Sequence, residues 1–110
     1  MVVREEAQGD MGMFRYRLML CDGGLLEIVE RFQIVEKEAQ VGRYVFHWQD
    51  AGGRLLRRWD NAAHHPEIHT HPHHVHDGAD DNVLPHEPVT VEEILSLIAS
   101  ESVEKRCRSN

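Results

Sequence analysis

No apolar run of about 18 residues or more occurs anywhere in the 110-residue chain, so the sequence contains no candidate membrane-spanning helix. The opening MVVREEAQGDMG also lacks the basic region and apolar stretch of a secretory signal, and the expectation is a cytoplasmic, unprocessed protein. Cysteine is nearly absent: Cys21 and Cys107 make no framework of the secreted kind, and reduced thiols are expected. Basic residues are missing from one part of the chain. Residues 61–104 hold nine acids and no Lys or Arg, whereas residues 1–60 hold nine of the twelve basic residues against ten acids. The net charge of −7 argues against a generic nucleic-acid-coating protein, which would normally carry a basic excess. Any anion-binding surface must come mainly from the first half, where Arg54, Arg57 and Arg58 form the densest group, and such arginines also serve as solvated ends of a sheet.

With 41% apolar residues the chain can bury one modest core, which implies a single domain over 1–110. Phe14, Tyr16, Leu18 and Leu20 alternate with Arg15 and Arg17, the pattern of a half-buried strand. Asp22-Gly23-Gly24 signals a reversal, and Leu25 to Val35 brings Leu26, Ile28, Phe32 and Ile34 into phase. A polar connection is expected over residues 36–42. Tyr44, Phe46 and Trp48 then alternate with Arg43, His47 and Gln49, and after the turn Asp50-Ala51-Gly52-Gly53 a fourth strand of weaker alternation runs from Arg54 to Trp59. Residues 61–89 read as a long irregular loop containing all four prolines. Thr90-Val91-Glu92-Glu93 is a capping box, so a helix is expected over 90–105, with Val91, Ile94, Leu95 and Ile98 on one face and Lys105, Arg106 and Arg108 near its end. The fold class is therefore α+β: a mainly antiparallel β-meander of about four strands over 14–60, with a C-terminal amphipathic helix packed on one face. The expected core comprises Phe14, Tyr16, Leu18, Tyr44, Phe46, Trp48, Ile94, Leu95 and Ile98.

Seven of the nine histidines lie between His64 and His76. A structureless loop of this length in a small domain is functional or disordered, so these rings either anchor it or are its purpose. If the segment is extended, as Pro66 and Pro72 favour, His65, Glu67, His69, His71 and His73 point one way and His74 and His76 the other. Two chemistries suit the composition. The first set could hold a divalent transition metal such as Zn²⁺ or Ni²⁺, since His-x-His brings ring nitrogens to one side. Alternatively, paired imidazoles could exchange protons with a phosphodiester while a nearby arginine stabilises the developing charge, as in a ribonuclease-like reaction. A third reading has the rings only fastening the loop to the sheet.

The succession from Tyr44 to Asn61, followed by a His-His-Pro-Glu step and then Pro72-His73-His74-Val75-His76, resembles the TumE family of toxin-antitoxin proteins, and the similarity covers most of the chain. In that family a strand ending in Asp-Asn precedes a histidine cluster, an acidic Gly-containing loop and a closing helix. Asp60, Asn61, His73, His74, His76, Gly78 and Thr90 to Ile98 match those places, whereas His69 and His71 stand where Pro and an aromatic residue are more usual. The resemblance implies a toxin encoded beside a helix-turn-helix antitoxin, and action on RNA or on translation is the leading expectation. The catalytic candidates are then His73, His74 and His76, with Asp60 and Asn61 beside them and Arg57 or Arg58 as charge stabiliser; a homodimer is compatible with this reading. Two rivals remain, a non-enzymatic metal-binding or accessory module using His65, Glu67, His69, His71 and His73, and a protein-interaction domain.

Overall fold

The alternating segments of the first half pair in sequence order, each strand antiparallel to the one before it, and the pairing continues beyond the four strands expected. The computed structural model describes residues 2–8, 10–63 and 65–103, with backbone alone for 2–8, 102 and 103. It contains β1 (Val2–Gln8), β2 (Met11–Met19), β3 (Leu25–Val35), β4 (Glu38–Gln49), β5 (Leu55–Asp60), β6 (His74–Asp77), β7 (Val83–Pro85) and α1 (Val91–Ile98), followed by a π-helical turn at Ala99–Val103. All seven strands form one sheet in the order β1 to β7.

The two glycine turns are built as their residues require. Asp22 Oδ1 accepts from Gly24 N at 2.8 Å, and Gly23 adopts a φ of 90° that L residues avoid. In the next reversal Asp50 Oδ1 accepts from Gly52 N and Arg54 N, both at 2.9 Å, while Gly53 has a φ of 86°. The expected connection over 36–42 is instead two residues long. Glu36 and Lys37 have φ values of 51° and 69°, a tight hairpin turn, and β4 already begins at Glu38. Residues 33–43 are exposed throughout, so this end of the hairpin projects past the core and has no buried face to impose alternation on its sequence.

Leu26, Ile28, Tyr44, Phe46, Trp48, Trp59 and Val75 bury one face of the sheet together with Ile94 and Ile98 of α1. Phe14, Tyr16 and Leu18 are half-buried at the margin, and Leu95, expected in the core, is 41% exposed. The helix turns Val91, Ile94 and Ile98 inward instead, with Leu97 partly covered. Lys105, Arg106, Arg108 and the helix expected beyond residue 103 lie outside the described residues. Cys21 is in a disulfide and not a reduced thiol; Cys107 also lies outside the described residues.

The capping box forms as its sequence dictates, with Glu93 N donating to Thr90 Oγ1 and Thr90 N to Glu93 Oε1, both at 3.3 Å. Thr90→Ala should therefore cost about 1 kcal/mol in urea unfolding, and Thr90→Ser should recover most of it. An unchanged midpoint in the alanine variant would show that α1 is held by Ile94 and Ile98 alone.

Candidate functional site

Residues opposite one another in an antiparallel pair share a face, so the register decides which histidines can meet. Asp60 of β5 pairs with His74 of β6, and Arg58 pairs with His76. These four side chains lie on the face away from the hydrophobic core, yet Asp60, His74 and His76 are only 6%, 2% and 7% exposed. One donor atom from each of the three lies within 4.8 Å of the other two. The three rings of His65, His74 and His76 meet edge to face, with centroids 5.2 Å apart for His65–His74, 6.2 Å for His65–His76 and 4.9 Å for His74–His76.

Each member of the cluster is oriented by a second partner. His74 Nδ1 donates to the Pro72 carbonyl at 2.9 Å and His76 Nδ1 to the Asp80 carbonyl at 2.8 Å, since a carbonyl can only accept. Asp60 Oδ1 accepts from Ala62 N at 2.6 Å and from Arg43 Nη1 at 3.1 Å, while Oδ2 stands 3.8 Å from His74 Nε2. Burial holds the His74 imidazole below its ordinary range; the Pro72 carbonyl and the Asp60 carboxylate oppose that shift, and His76 and His65 reinforce it. A neutral His74 with its proton on Nδ1 presents a lone pair at Nε2.

The remaining candidates are distributed by the same geometry. The His65 to His73 segment is a succession of turns, not an extended strand: Ile68 N donates to His65 O, His71 N to Ile68 O and His73 N to Thr70 O. It therefore does not array His65, Glu67, His69, His71 and His73 along one side. His65 Nδ1 lies 3.2 Å from Glu67 Oε1, and His71 Nδ1 is 3.2 Å from the His65 carbonyl, while His69 and His71 are exposed. His73 falls on the core side, where its Nδ1 is hydrogen-bonded with Tyr44 Oη at 2.8 Å. Burial, with a smaller push from Asp60 against an opposing backbone hydrogen bond at Val89, drives the Tyr44 phenol up to about 12, so it keeps its proton. His73 opens on a cleft of about 560 Å³ that Glu30 and Glu92 also line. The Glu30 carboxyl is raised by burial and by the charge of Glu92, which makes this cleft a poor receptor for phosphate.

Arg57 and Arg58, adjacent in sequence, part company at the sheet. Arg57 points to the core side and engages Glu101 at 3.0 Å and Asp77 at 3.7 Å. Arg58 stays with the cluster, donating to His47 Nδ1 at 3.2 Å and to Asp80 Oδ1 at 3.0 Å. Asn61 ties strands together, its Oδ1 accepting from Tyr44 N at 2.9 Å and its Nδ2 donating to the Gly42 carbonyl at 2.6 Å.

The polar face carries Arg15, Arg17 and Arg43, which the sequence marked only as out of phase with the core, and Arg31, which it did not single out. Arg15 faces Val29, Arg17 faces Glu27 and Arg31 faces Arg43, so four arginines extend from the cluster across β2, β3 and β4 with Arg58 as the fifth. Two shallow grooves cross this surface: one of about 370 Å³ between Arg17, His47, Arg58 and Asp60, and one of about 480 Å³ between Arg15, Arg31 and Arg43. Alternation placed these side chains on one face of each strand; only the pairing aligned those faces.

The protein is thus an antiparallel sheet with one face closed by a helix and the other lined with arginine and ending in a buried histidine-carboxylate cluster. The family model described as Toxin TumE matches residues 1–106, and the chain belongs to that family of toxin-antitoxin proteins. No curated protein and no solved structure matches it. Among the described residues, no helix is long and apolar enough to cross a membrane. As a member of a toxin family it has an antitoxin for a partner.

Proposed function

We propose that this toxin acts on RNA inside the cell, gripping the sugar-phosphate backbone along the arginine face and presenting one linkage to Asp60, His74 and His76. The observation that carries the reading is the segregation of Arg15, Arg17, Arg31, Arg43 and Arg58 to one sheet face in a chain whose net charge is −7. An open, arginine-rich surface binds phosphate through bidentate hydrogen bonds and tolerates any base sequence. Residues 61–104 hold nine acids and no Lys or Arg, which disfavours polyanion contact through most of that segment. The antitoxin is taken to be the helix-turn-helix protein that the family resemblance implies.

The exposed pair Arg15 and Arg31 separates RNA binding from the cluster, because neither touches Asp60, His74 or His76. An Arg15→Glu, Arg31→Glu variant is expected to lose affinity for a mixed-sequence single-stranded RNA and to lose growth inhibition with it. On single strands each phosphate contact contributes about 0.7 to the slope of log K against log salt, so two lost contacts should lower that slope by about 1.4. Unaltered affinity and slope in the folded variant would remove RNA as the target of this face.

A further inference from the structure

The geometry points to a transition-metal site in which Asp60 Oδ2, His74 Nε2 and His76 Nε2 bind one Zn²⁺-class ion and His65 completes the shell. The inference concerns the cluster already placed at the end of the arginine face, but it needs only that cluster's geometry. Its test reads metal uptake in the absence of RNA, so its failure and the failure of the RNA reading are distinguishable.

The first support is chemical. Nδ1–H of both His74 and His76 is donated to backbone carbonyls, the tautomer in which the metal-binding lone pair of an imidazole is on Nε2. Asp60 has its Oδ1 held by Ala62 N and Arg43, which leaves Oδ2 turned toward His74. Two imidazole lone pairs and one carboxylate oxygen therefore converge in a buried space, each already fixed from behind. A backbone carbonyl on the far ring nitrogen is the usual outer support of a metal-bound histidine, because it sets the tautomer and aims the other nitrogen.

The second support is the placement of His65. Its ring is edge-on to both buried rings, and its side chain is 29% exposed, at the mouth of the cluster and not within it. Glu67 Oε1 lies 3.2 Å from its Nδ1, so a carboxylate does for His65 what the backbone carbonyls do for His74 and His76 and leaves Nε2 as the donor atom. The donor set selects the metal class. Two or three imidazoles with one carboxylate and no thiolate suit Zn²⁺, Ni²⁺ or Co²⁺, whereas Mg²⁺ and Ca²⁺ require mostly oxygen ligands. Alternation along the chain grouped His65 with Glu67, His69, His71 and His73 as the metal candidates; the fold instead sets the His65 ring beside His74 and His76.

The test uses untagged, full-length protein stripped with a chelator and titrated with ZnCl₂ by calorimetry, and with Co²⁺ for its visible absorption. Expected are uptake of one ion per chain and the intense bands of a four-coordinate Co²⁺ centre. His74→Gln and Asp60→Asn should abolish both signals, and the His69→Ala, His71→Ala variant should keep them. His65→Ala alters a half-exposed ring and is compatible with folding even if the buried variants are not; it should weaken uptake measurably, since removing a ligand forfeits its bond to the ion. Absence of stoichiometric uptake by the wild-type protein, or equal uptake by wild type and His65→Ala, overturns the site. Loss of uptake in the His69→Ala, His71→Ala variant with retention in His74→Gln overturns it as well.

Discussion

Cells expressing the His76→Gln variant with the antitoxin withheld are expected to grow as cells without the toxin do. His76 is 7% exposed, its ring is aimed by the Asp80 carbonyl at 2.8 Å, and it lies opposite Arg58 in the register. Loss of a side chain at a reacting centre typically costs about 10²–10⁴ in rate, enough to turn growth arrest into near-normal growth. Glutamine retains a polar side chain of similar reach, so the sheet should persist, which far-ultraviolet circular dichroism and a urea melt would verify. His73→Ala is the paired control, because His73 lies on the opposite side of the sheet against Tyr44. It should remain toxic if the cluster of Asp60, His74 and His76 is the functional one. A folded His76→Gln variant as toxic as the parent, or a folded and harmless His73→Ala, would move the site to the acidic cleft.

The largest effect on stability is expected at Trp59. Its side chain is 1% exposed at the centre of the core, paired with Phe46 on one neighbouring strand and Val75 on the other. Truncation to alanine removes that burial and leaves a cavity, at a cost of about 3–5 kcal/mol. Small domains have only about 5–15 kcal/mol in total, so the variant should be marginal at growth temperature. With urea slopes of about 1–3 kcal/mol/M, the unfolding midpoint should fall by about 1 M or more. Leu95→Ala provides the contrast: Leu95 is 41% exposed and alanine favours helix, so the change should stay within about 0.5 kcal/mol. A large loss at Leu95 with little at Trp59 would mean that α1 presents a different face to the sheet.

What the sequence determined by itself was local. Strict alternation in Phe14 to Leu20 and in Arg43 to Gln49 assigned strands and told polar from apolar faces, because a half-buried strand must repeat every two residues. Asp-Gly-Gly and Asp-Ala-Gly-Gly placed the reversals, since the chain there needs a φ that glycine adopts freely, and Thr90 with Glu93 placed the helix start. The family was legible in the order of motifs ending in Asp60-Asn61 and Pro72 to His76, and the family model bears it out over 1–106. The strand β6 was not legible, because its inward residues on one face are His74 and His76. A strand that buries imidazoles against a carboxylate breaks the rule that burial is apolar, and periodicity then has nothing to detect. Nor could spacing along the chain separate His73 from His74 or Arg57 from Arg58. Adjacent residues in a strand face opposite ways, so the site depends on which side of the sheet α1 covers and on the pairing of Asp60 with His74. Those are contacts between segments remote in sequence, and only the tertiary structure decides them.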